Sequence, residues 1–221
     1  MIKALVFDAY GTLFDVHSVG KECNKIFPTK GDAISQSWRK KQLEYFFLRQ
    51  LIQRYKPFNE ITKDALHYAC KENGVELSNE DEEHLMEAYL KLDLFEEVEA
   101  VLDQLSNKKL VVFSNGSKNM IDPLIEQSSI RSSIDLVISA DEIKQYKPTP
   151  AAYNHAQEQL NLKREEILFM SSNPWDITGA KSFGFRTAWI NRKELVSEEL
   201  DIQPDAIYGD LSEISEWVEE T

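Results

Sequence analysis

Apolar positions along this chain follow two different rhythms, and the change of rhythm divides it. Near the start, Ala4-Leu5-Val6-Phe7 is a short unbroken apolar run that ends at Asp8 and breaks at Gly11. Such a run predicts a strand buried on both faces. From Asp15 to about Lys109 no similar run returns, and apolar residues recur at helical steps instead. Ile34, Trp38, Tyr45, Leu48, Ile52 and Tyr55 form one stripe, which predicts a long amphipathic helix over 33–55 stopped by Pro57. A second helix is predicted over 60–72, closed by Asn73-Gly74, a pair suited to a left-handed helix end. Ser78 with Asp81 three residues later opens a third, carrying Leu85, Tyr89 and Leu92.

Beyond that point strand and helix patterns alternate. A helix near 97–106 precedes strands over 110–113, 136–139, 167–170 and 187–190, with helices starting near Lys118, Pro150 and Trp175. The acidic stretch 213–220 reads as a solvated last helix. Alternation of this kind implies an α/β fold with a Rossmann-like, doubly wound parallel sheet. The core is expected to comprise residues 1–14 and 92–221, with an all-helical cap, residues 15–91, inserted over the carboxyl end of the sheet.

Composition narrows the picture. A chain of 221 residues with 42% hydrophobic content suits one sizeable globular core. No run approaches the roughly 18 apolar residues of a membrane span, and no secretory pattern precedes the first strand, so a cytoplasmic protein is expected. The net charge of −13 argues against nucleic acid and anionic membranes as partners. If the substrate is a small anion, a few basic residues must build a local positive field. Cys23 and Cys70 do not form a disulfide framework, nor do they share metal-ligand spacing with His17, His67, His84 and His155.

Candidate chemistry sits at the predicted strand ends. Open α/β sheets bind ligands outside the carboxyl ends of their strands, so Asp8 is placed for chemistry, although an Asp there can equally cap a turn. Three later stretches repeat the placement: Ser114-Asn115-Gly116-Ser117, Tyr146-Lys147-Pro148 with Tyr153, and Ser171-Ser172-Asn173-Pro174-Trp175-Asp176. Taken singly, the first is an ordinary turn opening a helix, and a lysine before proline is usually a surface residue.

Together with Asp8-Ala9-Tyr10-Gly11-Thr12-Leu13, and in this order, these stretches resemble the motifs of the haloacid dehalogenase superfamily. The variants within them look like the L-2-haloacid dehalogenase branch. Tyr10 stands where the superfamily's phosphatases carry a general acid, and Ser172 stands where they carry a magnesium ligand. Trp38-Arg39-Lys40-Lys41-Gln42-Leu43-Glu44-Tyr45 is similar to the branch's cap helix, whose Arg receives the departing halide; Lys40 replaces a usual Gln.

The resemblance implies hydrolysis of L-2-haloalkanoates to D-2-hydroxy acids, with inversion at carbon 2, through an ester on Asp8. It implies a small anionic 2-haloalkanoate as substrate, no cofactor, no metal and a homodimer. Arg39 and Asn115 would stabilise the halide, with Trp175 beside it. Ser114 and Lys147 would hold the carboxylate near Ala9 and Tyr10, and Leu43, Phe58 and Trp175 would line an apolar cleft. Asp176, with Ser171 and Asn173 in its network, would position or deprotonate water, and Thr12 and Tyr153 would orient Asp8 and Lys147. A magnesium-dependent phosphatase and a non-catalytic binding protein on the same scaffold are the alternatives; Tyr10 and Ser172 count against the first.

Overall fold

A computed structural model describes residues 1–215 and 217. Six parallel strands form one sheet in the order β3-β2-β1-β4-β5-β6: β1 (Ala4–Phe7), β2 (Lys109–Ser114), β3 (Leu136–Ser139), β4 (Ile167–Ser171), β5 (Arg186–Ile190) and β6 (Ala206–Tyr208). Strand β1 lies between β2 and β4, where the winding direction reverses. Its side chains serve two cores. Leu5 and Phe7 pack on the face covered by α5 (Val98–Gln104) and α6 (Lys118–Glu126), and Ala4 and Val6 on the face covered by α7 (Pro150–Leu160) and α8 (Pro174–Phe183). All four are fully buried, which is why the run is unbroken rather than alternating. Burying Phe7 alone contributes roughly 1.5–3 kcal/mol.

Between the first two strands the described elements are helical: ahead of α5 come α1 (Gly20–Ile26), α2 (Gly31–Leu51), α3 (Phe58–Glu72) and α4 (Asn79–Ala88). They pack chiefly on one another and bond to the loops at the carboxyl end of the sheet. Gln50 Nε2 donates to Gln145 Oε1 at 2.8 Å, Tyr146 Oη to the Lys56 carbonyl at 2.5 Å, and Asn59 N to Ser117 Oγ at 3.3 Å. The two chain crossings into this helical region run side by side. Asp15 N donates to the Asp93 carbonyl at 2.8 Å, and Phe95 N to the Leu13 carbonyl at 3.1 Å.

Several elements differ from the periodicity reading. Helix α2 ends at Leu51, not near Tyr55. Its end is a Schellman turn: Gln53 takes a positive φ of 56°, Gln53 N bonds the Gln50 carbonyl, and Arg54 N bonds that of Arg49. A Gln at the left-handed position carries no sequence signal. The buried face of α2 runs Ile34, Trp38, Gln42, Phe46, whereas Leu48 and Ile52 are exposed, so the predicted stripe fails beyond Trp38. A buried glutamine in mid-stripe hid the true face. Helix α1 and strand β6 were not predicted, and α4 stops before Tyr89 and Leu92, which are buried in the turn that follows. The Ser78 cap is present: its hydroxyl accepts from Asp81 N at 3.1 Å. Half of the residues of the helix expected over 213–220 lie outside the described residues.

Candidate active site

The chain turns sharply after β1. Gly11 has φ +91°, a conformation open to glycine, and Gly11 N bonds the Phe14 carbonyl at 2.7 Å. This turn leaves Asp8 at the strand's end, buried and ringed by donors. Oδ1 accepts from Lys147 Nζ at 3.0 Å. Oδ2 accepts from Asn173 Nδ2 at 2.9 Å and from the hydroxyls of Thr12 and Ser171, each at 3.4 Å. Such a carboxylate is held in one orientation.

Lys147 is fully buried and joins two acids. Its ammonium also donates to Asp176 Oδ2 at 2.6 Å and to the Phe113 carbonyl at 3.0 Å, and lies over the rings of Phe113 and Phe169. Burial opposes its charge, but the charges of Asp176 and Asp8 outweigh that and hold its pKa above the ordinary value. The opposite face of Asp176 is closed by Tyr153, whose hydroxyl donates to Oδ1 at 2.7 Å. Burial pushes the Asp176 carboxyl up to about 6, with Lys147 acting in the other direction. The same burial, reinforced by the Asp176 charge, pushes the Tyr153 phenol well above its usual range.

Ser114 and Asn115 end β2 beside this cluster. Ser114 Oγ accepts from Gly116 N at 2.9 Å, tightening the turn. Asn115 brackets the Lys147 peptide, accepting from its N–H at 2.8 Å and donating to its carbonyl at 3.2 Å. Gly116 has no room for a side chain, since a Cβ there would come within 2.9 Å of the Tyr10 ring. Tyr10 stacks on Phe58 with ring centroids 5.8 Å apart, and its buried hydroxyl has no hydrogen-bond partner among the described residues.

Above Asn173 a cleft of about 410 Å³ opens between the helical region and the sheet. Arg39 and Leu43 from α2, with Trp175 from α8, line it. Trp175 packs against Phe46 and Phe47, at 5.5 and 5.1 Å between ring centroids. The Arg39 guanidinium donates to Gln42 Oε1 at 2.7 Å and to the Tyr10 carbonyl at 3.3 Å. It therefore reaches from the helix to the turn carrying Asp8.

The predicted residues are thus brought together, though not all in the expected contacts. Asp8, Thr12, Lys147, Tyr153, Ser171, Asn173 and Asp176 form one bonded cluster. The side chains of Ser171 and Asn173 bond Asp8 rather than the Asp176 carboxylate, though the Asn173 carbonyl accepts from Asp176 N at 3.0 Å. Asn115 bonds Lys147 and is absent from the cleft wall on which Arg39 lies. Ala9 is buried in the turn, where its carbonyl accepts from the N–H groups of Leu13 and Phe14.

Arg192 escaped the sequence reading. It lines the cleft, donates to the Thr12 carbonyl at 2.8 Å and to Glu97 Oε1 at 2.5 Å, and covers the Phe95 ring. No local pattern marks an arginine whose partners are so distant in sequence.

Among the described residues no three His, Cys, Asp or Glu side chains converge as a metal site. The donor set does not suit Mg²⁺: the Lys147 ammonium bridges the two carboxylates, and Ser172 adds only a neutral hydroxyl. The two cysteines are buried, and burial pushes the Cys23 thiol up to about 12 and that of Cys70 to about 11, so neither is a nucleophile.

Known proteins resemble this chain over most of its length. The family model for haloacid dehalogenase-like hydrolases matches residues 2–184. The chain is 46% identical over 206 residues to an (S)-2-haloacid dehalogenase of Pseudomonas sp. (strain YL), covering 92% of this chain and 89% of that one. It is 43% identical over 206 residues to haloacetate dehalogenase H-2 of Moraxella sp. (strain B), covering 92% of each. The solved L-2-haloacid dehalogenase from Xanthobacter autotrophicus superposes with a TM-score of 0.96 at 34% identity, over 100% of both chains. Its form with chloropropionic acid covalently bound gives a TM-score of 0.92 at 33% identity, over 99% of both.

Proposed function

Because the chain belongs to the haloacid dehalogenase-like hydrolases, and among them to the L-2-haloacid dehalogenases, we propose the following course for its reaction. The enzyme hydrolyses the carbon–halogen bond of L-2-haloalkanoates, giving D-2-hydroxy acids through an ester on Asp8. One observation carries this reading. A fully partnered carboxylate ends the central strand at the winding reversal, directly beneath a cleft lined by an arginine and a tryptophan.

In the first step a carboxylate oxygen of Asp8 attacks carbon 2 from the side opposite the halogen. A carbon–oxygen bond forms, the halide leaves with the bonding pair, and the carbon inverts. Thr12, Ser171, Asn173 and Lys147 hold Asp8 for that approach, which removes orientational freedom before reaction. Arg39 receives the developing halide charge, which is stabilisation realised in the transition state. Leu43, Phe58, Tyr10 and Trp175 give the carbon an apolar setting. Ser114 and Asn115, through the turn they fix, and the Lys147 charge hold the substrate carboxylate with the Ala9–Tyr10 backbone.

In the second step water attacks the ester carbonyl of Asp8. The carbonyl oxygen takes the electron pair and returns it as the product's alkoxide leaves; the alkoxide takes the proton of the new Asp8 carboxyl, so that a hydroxy acid departs, Asp8 returns as a carboxylate and one proton passes to solvent overall. Asp176 takes the water's proton. With a pKa raised to about 6 it is ionised at neutral pH yet more basic than an ordinary Asp. Tyr153 keeps it oriented.

The division into a core of residues 1–14 and 92–221 and a cap of 15–91 belongs to the same reading, as do a homodimer and a cytoplasmic setting. The side-by-side crossings at Asp15 and Asp93 support that division. The test is a single turnover of L-2-chloropropionate in ¹⁸O-water with EDTA present. Label is expected in the Asp8 carboxylate and D-lactate as product. Label in the lactate, or metal-dependent phosphate release without halide release, would overturn the reading.

A further inference from the structure

The Arg39 guanidinium is held by a chain of buried hydrogen bonds that its catalytic use does not explain. Gln42 lies one turn along α2 and is fully buried, an unusual place for a glutamine. Three of the four hydrogen-bonding positions of its amide are used. Oε1 accepts from Arg39 Nη1 at 2.7 Å and from the Tyr89 hydroxyl at 2.9 Å. Nε2 donates to Thr62 Oγ1 at 2.8 Å, and that hydroxyl donates to the Phe58 carbonyl at 2.8 Å. Trp38 Nε1 donates to the Thr62 carbonyl at 2.7 Å, tying α2 to α3 at the same point.

Packing alone would be served by an apolar residue here, without the cost of desolvating an amide. What Gln42 adds is direction. Its amide is anchored to α3, and its carbonyl presents a fixed acceptor to the guanidinium. A flexible arginine is thereby confined to one pose facing the Asp8 turn.

We infer that Gln42, anchored by Thr62, is the positioning residue that sets Arg39 to receive the departing halide. The inference rests on the halide role proposed for Arg39. A misplaced guanidinium should hurt poorer leaving groups more, because they depend more on stabilisation of the departing charge. The bromide-to-chloride ratio of kcat therefore reads the pose of Arg39 where melting temperature does not.

The experiment compares L-2-bromopropionate and L-2-chloropropionate as substrates for Arg39→Met, Gln42→Met, Thr62→Val and Thr62→Ser, with thermal melts alongside. Gln42→Met is expected to lower chloride turnover by on the order of 10–10²-fold. It should raise the bromide-to-chloride ratio in the direction Arg39→Met does. Thr62→Val, which removes the acceptor that anchors Gln42, should shift the ratio the same way by less, and Thr62→Ser should restore it. A folded Gln42→Met enzyme with the parent ratio, while Arg39→Met alters it, would overturn the inference and leave Gln42 a core residue. A ratio unmoved by Arg39→Met would remove the halide assignment and this inference with it. If Gln42→Met does not fold, the Thr62 pair decides: equal ratios for valine and serine overturn the proposal.

Discussion

The floor and the roof of the cleft hold their charges in different ways. On the floor, both oxygens of Asp8 and both of Asp176 are bonded, and Lys147 donates to three acceptors with no exposure at all. On the roof, Arg39 is half-buried and bonds Gln42 and the Tyr10 carbonyl, and a guanidinium carries five N–H groups. The floor is fixed before substrate arrives. The roof keeps donors directed at the cleft, and its neighbours, Leu43 and Trp175, are apolar. In the proposed reaction, bond making would fall to an over-determined site and leaving-group recognition to a less saturated one.

Substitution can break this contrast from either side. The largest effect is expected from Asp8→Asn, which removes the nucleophile while preserving most of the shape. Turnover should fall by on the order of 10⁴-fold or more, read as halide release under substrate saturation. Residual turnover within tenfold of the parent would show that water, not Asp8, displaces the halide.

Arg39→Ala comes next. Its loss should lower kcat by on the order of 10²–10³-fold, because the interaction strengthens as charge leaves with the halide. Half-buried and anchored on one helix, Arg39 should matter little to melting temperature. A large fall in stability with turnover preserved would reverse its assignment and join it to the floor.

The pH profile sharpens the contrast further. Asp176 takes a proton only when ionised, and its carboxyl is raised from the ordinary 3.8 to about 6 by burial. Above that value the base is present; below it the group is already protonated. Hydrolysis of the ester on Asp8 should therefore fall about tenfold per pH unit below 6, measured as single-turnover decay of the intermediate. Asp176→Asn should abolish this limb and make the intermediate accumulate.

The smallest effect is expected on the roof's rim. Lys40 is exposed on an opening that adjoins the cleft, with Arg39 and Lys193 also on its wall. In a chain of net charge −13 these cations supply the local positive field an anionic substrate needs. Lys40→Gln should raise KM for chloropropionate by about two- to threefold at low salt and leave kcat unchanged, with the difference fading at high ionic strength. A change in kcat would place Lys40 inside the site.

The same contrast explains how much could be read from the sequence. Strand-end residues such as Asp8, Ser114 and Ser171 were legible because an apolar run announces a buried strand, and topology then fixes where its last polar residue points. Helix α2 was harder. Its buried face continues through Gln42, so an apolar count slid onto Tyr45, Leu48 and Ile52, two of which are exposed. Its end at Gln53 follows from a backbone turn that any glutamine hides. Strand β6 spans three residues, two partly buried and one exposed, too short to register as a period. Arg192 and Asn115 could be placed only once distant carbonyls were, since their partners are set by tertiary geometry.

The central position of β1 also bears on how the protein is made. This strand leaves the ribosome before the five others, yet the carboxylate that follows it meets Lys147 across 139 residues and Asn173 across 165. Helices α1 to α4 pack mostly on near neighbours and need no such wait. Contacts of long sequence separation form late, because closing the intervening loop costs entropy before any bond rewards it. The apolar run Ala4–Phe7 must therefore stay unpaired until β2 is made and half-paired until β4 is, an aggregation hazard of the kind chaperones cover. Truncation anywhere before β4 would leave that strand without one of its two neighbours, so a chain cut short there should be insoluble as well as inactive.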